Sequence, residues 1–369
     1  MDKITPLQTY MLFTQYLLST LVSFLAAPLI QNAGYSVWIP VIAGCLLGGT
    51  LTYLAYKLSC RRPGGYMAEY GGEIVGRPLH YLFILLMAFI YLFSAALVLR
   101  QLTDFIVEIY LPGTPLWAVA GLLGLCTTRL VHSGITNIFR STQGVFFVTL
   151  ALVVLIAVAS CQDIVPYSVV SLFTNFDGRG ILSATAMITG LFGEMTFIVL
   201  FFPKFKETGR TMKALAWAIV TAGILTLGIM IPMVLLFGPS LAANLTYANL
   251  EMTRYIQLGN FIQNMDPILI LMWLFTLLVK ISLFLYISVI TVTQTLKMKD
   301  TRLLTLPFGV TVIFLCLWMV NSSETLDRFA GTTAVPMTLL AELIPVVYLL
   351  IDALRSRFKK RQPVREPST

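Results

Sequence analysis

The sequence predicts an all-α polytopic membrane protein with ten transmembrane helices. Of the 369 residues, 57% are hydrophobic and 11% are charged, and the mean hydropathy is +0.85. Soluble domains carry about a quarter charged residues, because charge must cover their surface. The apolar residues form continuous runs, whereas a β-barrel alternates apolar and polar positions. This composition argues against a cytoplasmic enzyme, a secreted disulfide scaffold and a disordered chain.

Ten apolar runs approach the length of about 20 residues that a helix needs to cross a bilayer. The third and eighth exceed one bilayer thickness and should tilt or extend into water, whereas the fourth and fifth are short. Residues 1–354 are predicted to form one membrane domain, and residues 355–369 a basic cytoplasmic tail. The ten runs lie near Leu7–Ile30, Val37–Tyr56, Tyr81–Ile109, Leu116–Leu130, Val145–Ala159, Ser183–Phe202, Ala214–Phe237, Ile268–Thr295, Leu303–Val320 and Val335–Leu354.

Two predicted outer segments, Gln162–Leu182 and Gly238–Gln263, are longer than turns. The second contains the stretch LTYANLEMTRYIQLGNFI, which suits a short amphipathic surface helix.

The lysine and arginine residues support this count. With the amino terminus in the cytoplasm, 20 of them fall in inside segments and three, Arg179, Arg254 and Arg328, fall in outside loops. Such an asymmetry is typical of cytoplasmic loops. The net charge of +8 therefore follows from topology and from contact with anionic lipid heads, and we predict no nucleic-acid partner.

Helices one and six carry helix-breaking residues at matching positions of two five-helix halves. Helix one has Ser19, Thr20 and Ser23 followed by Ala26-Ala27-Pro28, and helix six has Gly190, Gly193 and, later, Pro203. If the ten spans form two halves of opposite topology, a pair of breaks at matching positions points to a binding site at the bilayer midplane. Taken alone, these residues fit ordinary kinks and close-packing glycines better.

A few charges lie inside the predicted spans, where each costs about 3 kcal/mol or more. Lys280 lies deep in helix eight and is either a functional cation or a structural partner of Glu194 or Glu342. Glu194 follows Gly193 at the break, which favours a functional role. Arg100 and Asp104 share a face of helix three, with Glu108 one turn further on, and are favoured as a structural pair.

Other chemistry is not indicated. The five cysteines lack metal-ligand or disulfide spacing, and two histidines are too few for a histidine-rich metal site. There is no nucleophile–base pair, metal motif or phosphate loop, so we expect no enzymatic activity, cofactor or metal. The N-terminal MDKITPLQTYMLF lacks the features of a cleaved signal peptide.

Several motifs, in order, resemble the B subunit of the nutrient germinant receptors of endospore-forming bacteria, within the amino acid–polyamine–organocation transporter superfamily. The resemblance covers essentially the whole chain. It is carried by Pro63, Glu69-Tyr70 and Gly76-Arg77, by Arg100, by Thr114-Pro115, by Gly134 and Arg140, by Gly193-Glu194, and by FIQNMDPILILMWLF with Trp273 and Lys280. The sequence departs from the family pattern at Ser19 and Thr20, at Thr136, and at Gln263 and Asn264.

The resemblance implies a LeuT-like 5+5 inverted repeat with broken helices one and six, and a small nutrient, an amino acid or a sugar, bound among helices one, three, six and eight. It also implies that Lys280 replaces the sodium ion of sodium-coupled relatives by binding carbonyls at the Ala26–Pro28 break. The implied partners are the A subunit and the lipoprotein C subunit of the same receptor, in the spore inner membrane. Candidate substrate-binding residues are Ser19, Thr20, Ser23, Arg100, Gln101, Gly190, Gly193, Glu194, Lys280 and Tyr286.

Two functions remain open at this stage. A nutrient sensor changes conformation on binding its ligand, and partner subunits read that change. A proton-coupled amino acid permease uses the same fold to move its substrate, so the fold does not distinguish between them. A channel or a membrane-embedded enzyme is the weakest alternative.

Overall fold

The computed structural model describes residues 3–162, 164, 166–174, 176–255, 266–319, 325–326, 329 and 333–361. These residues are almost entirely helical. The α-helices, in chain order, are α1 (Pro6–Thr20), α2 (Ala26–Ala33), α3 (Trp38–Arg61), α4 (Met67–Val75), α5 (Arg77–Ile109), α6 (Leu116–His132), α7 (Ile135–Ser160), α8 (Gly178–Gly193), α9 (Thr208–Asn244), α10 (Ala248–Tyr255), α11 (Asp266–Thr295), α12 (Arg302–Trp318) and α13 (Val335–Arg361).

The first helix is interrupted one turn earlier than its proline suggests. Thr5 caps α1 through a capping box with Gln8, and Pro6 occupies the first turn. A π-helical turn, Leu21–Leu25, then separates α1 from α2, so Pro28 lies inside α2. Single π turns are frequent at functional sites, because they displace backbone groups from the regular helical ladder.

The sixth predicted span changes from α-helix to 3₁₀ helix directly after Gly193, at the position where a break was expected. Asp177 caps α8 by accepting a hydrogen bond from the amide of Arg179. After α8 ends, the chain continues as a 3₁₀ helix over Glu194–Leu200 and a second one over Phe202–Lys204. The change in helical pitch falls at the position that carries the buried glutamate.

Seven described segments are long and apolar enough to cross a membrane. Several such segments in one chain are typical of an integral membrane protein. The first, Pro6–Arg61, is a run of 56 residues that includes both α1 and α3. The apolar helices α6 and α12 are shorter, with 17 residues each. Helix α5 has 33 residues and α11 has 30, in agreement with the expectation that the third and eighth spans exceed one bilayer thickness.

Small residues allow the helices around the break to pack closely. Helix α3 packs along α8, and an added Cβ at Gly48 would lie 2.7 Å from the Cβ of Phe192. Such approaches are typical of membrane helices, whose association depends on van der Waals contact. A mutual arrangement joins α6 and α12, where Gly124 faces Ile313 and Gly309 faces Thr128.

The chain before α1 is tied to the segment after the sixth span. Ile4 donates a backbone hydrogen bond to the carbonyl of Lys204 at 2.9 Å and accepts one from the amide of Lys206 at 2.8 Å. This isolated parallel bridge between Ile4 and Phe205 is buried at the Ile4 side chain. It connects the two broken spans at one end of the molecule.

The two segments predicted to lie outside contain short helices. A 3₁₀ helix, Pro166–Phe173, lies in the first, and Trp38 donates its indole hydrogen bond to the carbonyl of Leu172 at 3.1 Å. The predicted amphipathic helix is represented by α10 (Ala248–Tyr255), while its predicted continuation from 256 to 262 lies outside the described residues. Gln263 and Asn264 also lie outside them.

Candidate functional site

A buried ion pair lies at the break in the sixth span. The ammonium of Lys280, on α11, donates to Glu194 Oε2 at 2.8 Å. Tyr16, on α1, donates its hydroxyl to the same oxygen at 2.7 Å. Lys280 is 1% exposed and Glu194 is 8% exposed, so the pair is held away from solvent. Three separate helical segments therefore meet at a single carboxylate oxygen.

Aromatic rings surround this pair. The ammonium of Lys280 lies 4.2 Å from the centroid of the Tyr16 ring and 5.4 Å from that of Phe284. Cation–π contacts of this kind stabilise a desolvated ammonium group by about 2 kcal/mol. Phe197 packs edge-to-face against both Tyr16 and Tyr91. The rings exclude water and so strengthen the electrostatic attraction within the pair.

A cavity of about 100 Å³ lies directly beside the ion pair. A cavity of roughly 150 Å³ binds benzene, so this space suits only a small ligand. Both breaks contribute to its wall, and α5, α11 and α13 complete it. Its lining is mostly apolar with a few polar groups, and consists of Thr20, Phe24, Leu25, Pro28, Ser94, Leu97, Val98, Gln101, Met187, Gly190, Leu191, Glu194, Lys280, Phe284, Ala334, Val335 and Thr338.

The central cavity continues toward one side of the molecule. An adjoining cavity of about 370 Å³ shares Phe24, Pro28 and Gln101 with it and also includes Asp104 and Tyr247. On the opposite side, a cavity of about 610 Å³ is lined by Tyr66, Arg140, Lys204 and Tyr286, among others. The lining of this third cavity has no described residue in common with that of the central cavity. Of these two cavities, the one beside Asp104 is therefore the neighbour of the central cavity among the described residues.

Two tyrosines near the third cavity lie outside the predicted spans. Burial, followed by the nearby carboxylate of Glu69, raises the pKa of Tyr66. Burial is also the main cause of the raised pKa of Tyr70, which the guanidinium of Arg62 partly offsets. Both phenols therefore stay neutral at physiological pH.

Five of the ten predicted binding residues line the central cavity: Thr20, Gln101, Gly190, Glu194 and Lys280. Gly193 lies next to them but faces the carboxylate of Glu342, which an added Cβ would overlap. Ser23 is buried in the π turn, and its hydroxyl has no hydrogen-bond partner among the described residues.

Three predicted residues lie elsewhere. Ser19 donates to the carbonyl of Tyr16 at 2.8 Å and faces a separate, small cavity of about 20 Å³, because it lies on another face of α1 from Thr20. Arg100 pairs with Asp104 at 2.9 Å and donates to the Cys316 carbonyl at 3.1 Å, which matches the favoured structural interpretation. Tyr286 lies six residues beyond Lys280 on α11 and lines the third cavity.

One expectation about Lys280 is wrong. Its ammonium was expected to bind carbonyls released at Ala26–Pro28, but these residues are helical within α2 and its hydrogen bond goes to Glu194. The full charge of a carboxylate at hydrogen-bond distance attracts an ammonium more strongly than a carbonyl dipole does. Of the two acidic partners considered for Lys280, Glu194 is the one that the structure selects.

The sequence reasoning missed Tyr16 as a member of the site. Tyr16 and Thr20 are four residues apart and so lie on one face of α1, a spacing that links the tyrosine to the break. The residues from α13, Val335 and Thr338, were also missed, since nothing in the sequence indicates that the tenth span borders the cavity.

The chain resembles known proteins along most of its length. Residues 3–324 match the family model described as spore germination protein. Spore germination protein KB of Bacillus subtilis (strain 168) is 24% identical over 336 residues, with 89% of each chain covered. YndE of the same organism is 23% identical over 370 residues, covering 97% of this chain and 99% of the relative. Spore germination protein XB of Bacillus anthracis is 22% identical, covering 90% of this chain and 89% of the relative.

Solved transporter structures share the fold. MhsT in complex with L-phenylalanine superposes with a TM-score of 0.69 at 14% identity, covering 96% of this chain and 99% of MhsT. Mhp1, a nucleobase-cation-symport-1 family transporter with bound bromovinylhydantoin, superposes with a TM-score of 0.62 at 15% identity, covering 97% of this chain and 94% of Mhp1. A Na⁺-coupled sialic acid symporter superposes with a TM-score of 0.68 at 12% identity, covering 92% of this chain and 79% of the symporter. This likeness confirms the predicted LeuT-like helical fold.

Proposed function

Because this chain belongs to the spore germination protein family, we propose that it is the nutrient-sensing subunit of a spore germination receptor. A small nutrient, an amino acid or a sugar, binds in the central cavity and shifts the protein between two conformations. The observation that supports this most is the position of the Lys280–Glu194 pair, which lies in the cavity wall at a helix break. Broken helices at the midplane are where transporters of this architecture hold their ligands.

The pair offers both signs of charge to a ligand. An amino acid carries an ammonium and a carboxylate, and a sugar carries hydroxyl groups that donate and accept. Gln101 and Thr20 add neutral polar groups to the same wall. In this proposal the ligand exchanges hydrogen bonds with Glu194 and Lys280, and the break after Gly193 adjusts to its presence.

We further propose ten spans in a 5+5 inverted repeat with both termini in the cytoplasm. The run Pro6–Arg61 is long enough for two crossings, and the 17-residue helices α6 and α12 supply the remaining two beyond the six other long segments. The lysine and arginine asymmetry supports the orientation. Residues 1–354 then form the membrane domain, residues 355–369 form the cytoplasmic tail, and the spore inner membrane is the location.

The partners in this proposal are an A subunit and a lipoprotein C subunit of the same receptor, which transmit the conformational shift. The protein performs no chemical reaction on the nutrient, uses no cofactor or metal, and has no nucleic-acid partner.

A proton-coupled amino acid permease is the second candidate. It is favoured by the cavities on both sides of the ion pair, which alternating access requires, and by the transporter fold. Uptake of labelled amino acids into vesicles that contain the purified protein tests this candidate directly.

Deletion of the gene in its sporulating host tests the sensor. Germination of the spores is scored against a panel of amino acids and sugars, and the proposal expects loss of the response to at least one nutrient. The matched strain carries Glu194→Gln, which should lose the same response while the protein stays in the membrane. A normal response of this strain contradicts the assignment of the pocket, and uptake without any germination defect supports the permease.

A further inference from the structure

A second buried carboxylate lies beside the ion pair. Glu342, on α13, is 1% exposed, and its carboxylate fills the space against Gly193, where an added Cβ would overlap it. Gly193 is the last residue of α8, directly before the change to 3₁₀ helix. Glu342 does not line the central cavity, and the proposed nutrient pocket does not use it.

Neither oxygen of this carboxylate has a hydrogen-bond partner among the described residues. The ionisable groups within electrostatic reach come from four elements: Glu194 after α8, Lys280 on α11, Tyr91 on α5 and Tyr16 on α1. Lys280, the one cation among these groups, directs its hydrogen bond to Glu194. Glu342 is therefore a buried acid whose neighbouring cation is already engaged.

If every group in this cluster were ionised, one negative charge would remain unbalanced. Glu194 and Glu342 contribute two carboxylates and Lys280 contributes one ammonium. An ionised carboxylate buried without a hydrogen bond is strongly disfavoured, and the cost increases inside a membrane. A proton on Glu342 removes the unbalanced charge without requiring another side chain.

We propose that Glu342 is a proton-binding site that is occupied in this conformation. The site adjoins the break after Gly193, so a movement of that break changes the surroundings of the carboxyl group and thereby its proton affinity. Proton binding and the movement of the break are then linked, and each must influence the other equally. The link to nutrient binding rests on the proposed function, whereas the proton site itself does not.

Infrared spectroscopy of the purified full chain, in a detergent without carbonyl groups, at neutral pH and without nutrient, tests the proton site. A protonated carboxyl group has a C=O stretching band that a carboxylate lacks. We expect this band in the wild type, its loss in Glu342→Gln, and a shifted band in Glu342→Asp. The matched control Glu207→Gln removes a solvent-exposed carboxylate at the start of α9 and should leave the band unchanged.

Two results would overturn the proposal. One is a wild-type spectrum without the band at neutral pH in sodium-free buffer, which would indicate an ionised Glu342 neutralised in another way, such as by a small monovalent cation. The other is a band that persists in Glu342→Gln, which would assign the proton to another group. If Glu342→Gln fails to insert into the membrane, the band shift in Glu342→Asp decides the assignment. None of these measurements requires the nutrient, so a failed nutrient assay leaves them valid.

Discussion

Lys280 and Glu194 stabilise each other because neither has another full charge as a hydrogen-bond partner. Two buried charges that neutralise each other gain little over a well-packed apolar pair, but removal of one partner leaves the other uncompensated. Tyr16 donates to the same oxygen of Glu194 as Lys280 does, so the carboxylate position depends on α1 as well as on α11.

A double-mutant cycle measures this dependence. Lys280→Met should destabilise the protein by about 3–5 kcal/mol, because Glu194 remains buried as an anion, and it should abolish the nutrient response. The double variant Glu194→Gln/Lys280→Met removes both charges and should recover most of the lost stability, although not the response. Thermal unfolding in detergent, followed by a germination assay, checks both expectations.

The surface variant Lys57→Met is the control for this cycle, since Lys57 is exposed at the end of α3 and its replacement should change stability by less than about 0.5 kcal/mol. Additive effects of the two single substitutions would show that Lys280 and Glu194 are not coupled. A normal nutrient response of Lys280→Met would contradict the role of the ammonium in the pocket.

The sequence alone identified the charged residues of the site but not all of their contacts. Lys280 and Glu194 could be predicted because charges inside membrane helices are costly and therefore rare. Tyr16 could not, because a tyrosine in an apolar run looks like packing. Ser19 and Tyr286 were misplaced because a residue's position along a helix does not reveal which face meets the cavity.

At the scale of elements, hydropathy located the helices better than their ends. Helix α7 begins at Ile135, ten residues before the predicted Val145, because its first turns contain polar residues such as Asn137 and Arg140 that break an apolar run but not a helix. Gly134, with φ of 97°, sets the turn before it, in a conformation that glycine adopts without strain. The π turn over Leu21–Leu25 has no signature in the sequence, since it depends on tertiary packing.

The backbone bridge at Ile4 joins the start of the first span to the end of the sixth. Its two hydrogen bonds must therefore break if these two ends move away from each other. Ile4→Pro removes the donor that binds the Lys204 carbonyl. A net contribution of about 0.5–1.5 kcal/mol per hydrogen bond predicts that hydrogen exchange at the Lys206 amide becomes roughly three to ten times faster. Exchange measured by mass spectrometry on the protein in nanodiscs provides the test.

Ile4→Val is the control for the bridge variant. Valine is nearly the same size as proline but keeps the backbone N–H at position 4. The difference in hydrogen exchange between the two variants therefore isolates the hydrogen bond to Lys204. Equal exchange at Lys206 in both variants would show that the bridge does not hold these ends together.

At the scale of the whole molecule, the fold and the proposed topology depend on whether α6 crosses the membrane. Its 17 residues span roughly 26 Å, slightly less than the hydrocarbon core of about 30 Å. Two native cysteines report on this question because both are exposed and lie at helix ends: Cys60 near the end of α3 and Cys161 just after α7. Helices α5, α6 and α7 separate them, so three crossings place them on opposite sides and two crossings place them on the same side.

With ten spans and a cytoplasmic amino terminus, a membrane-impermeant maleimide added to intact cells that express the protein should label Cys161 but not Cys60. Cys60 should react only after permeabilisation. The variants Cys161→Ser and Cys60→Ser, each made in a Cys126→Ser background because Cys126 on α6 is also exposed, assign each signal, and the buried Cys316 should stay unlabelled in both conditions. Protection of both Cys60 and Cys161 until permeabilisation would remove α6 from the set of spans, and labelling of Cys60 alone from outside would invert the orientation. With the expected orientation the end of α5 that carries Gln101 lies at the outer face, so an inverted result would place the cavity beside Gln101 on the cytoplasmic side, and a nutrient would have to reach Glu194 and Lys280 from there.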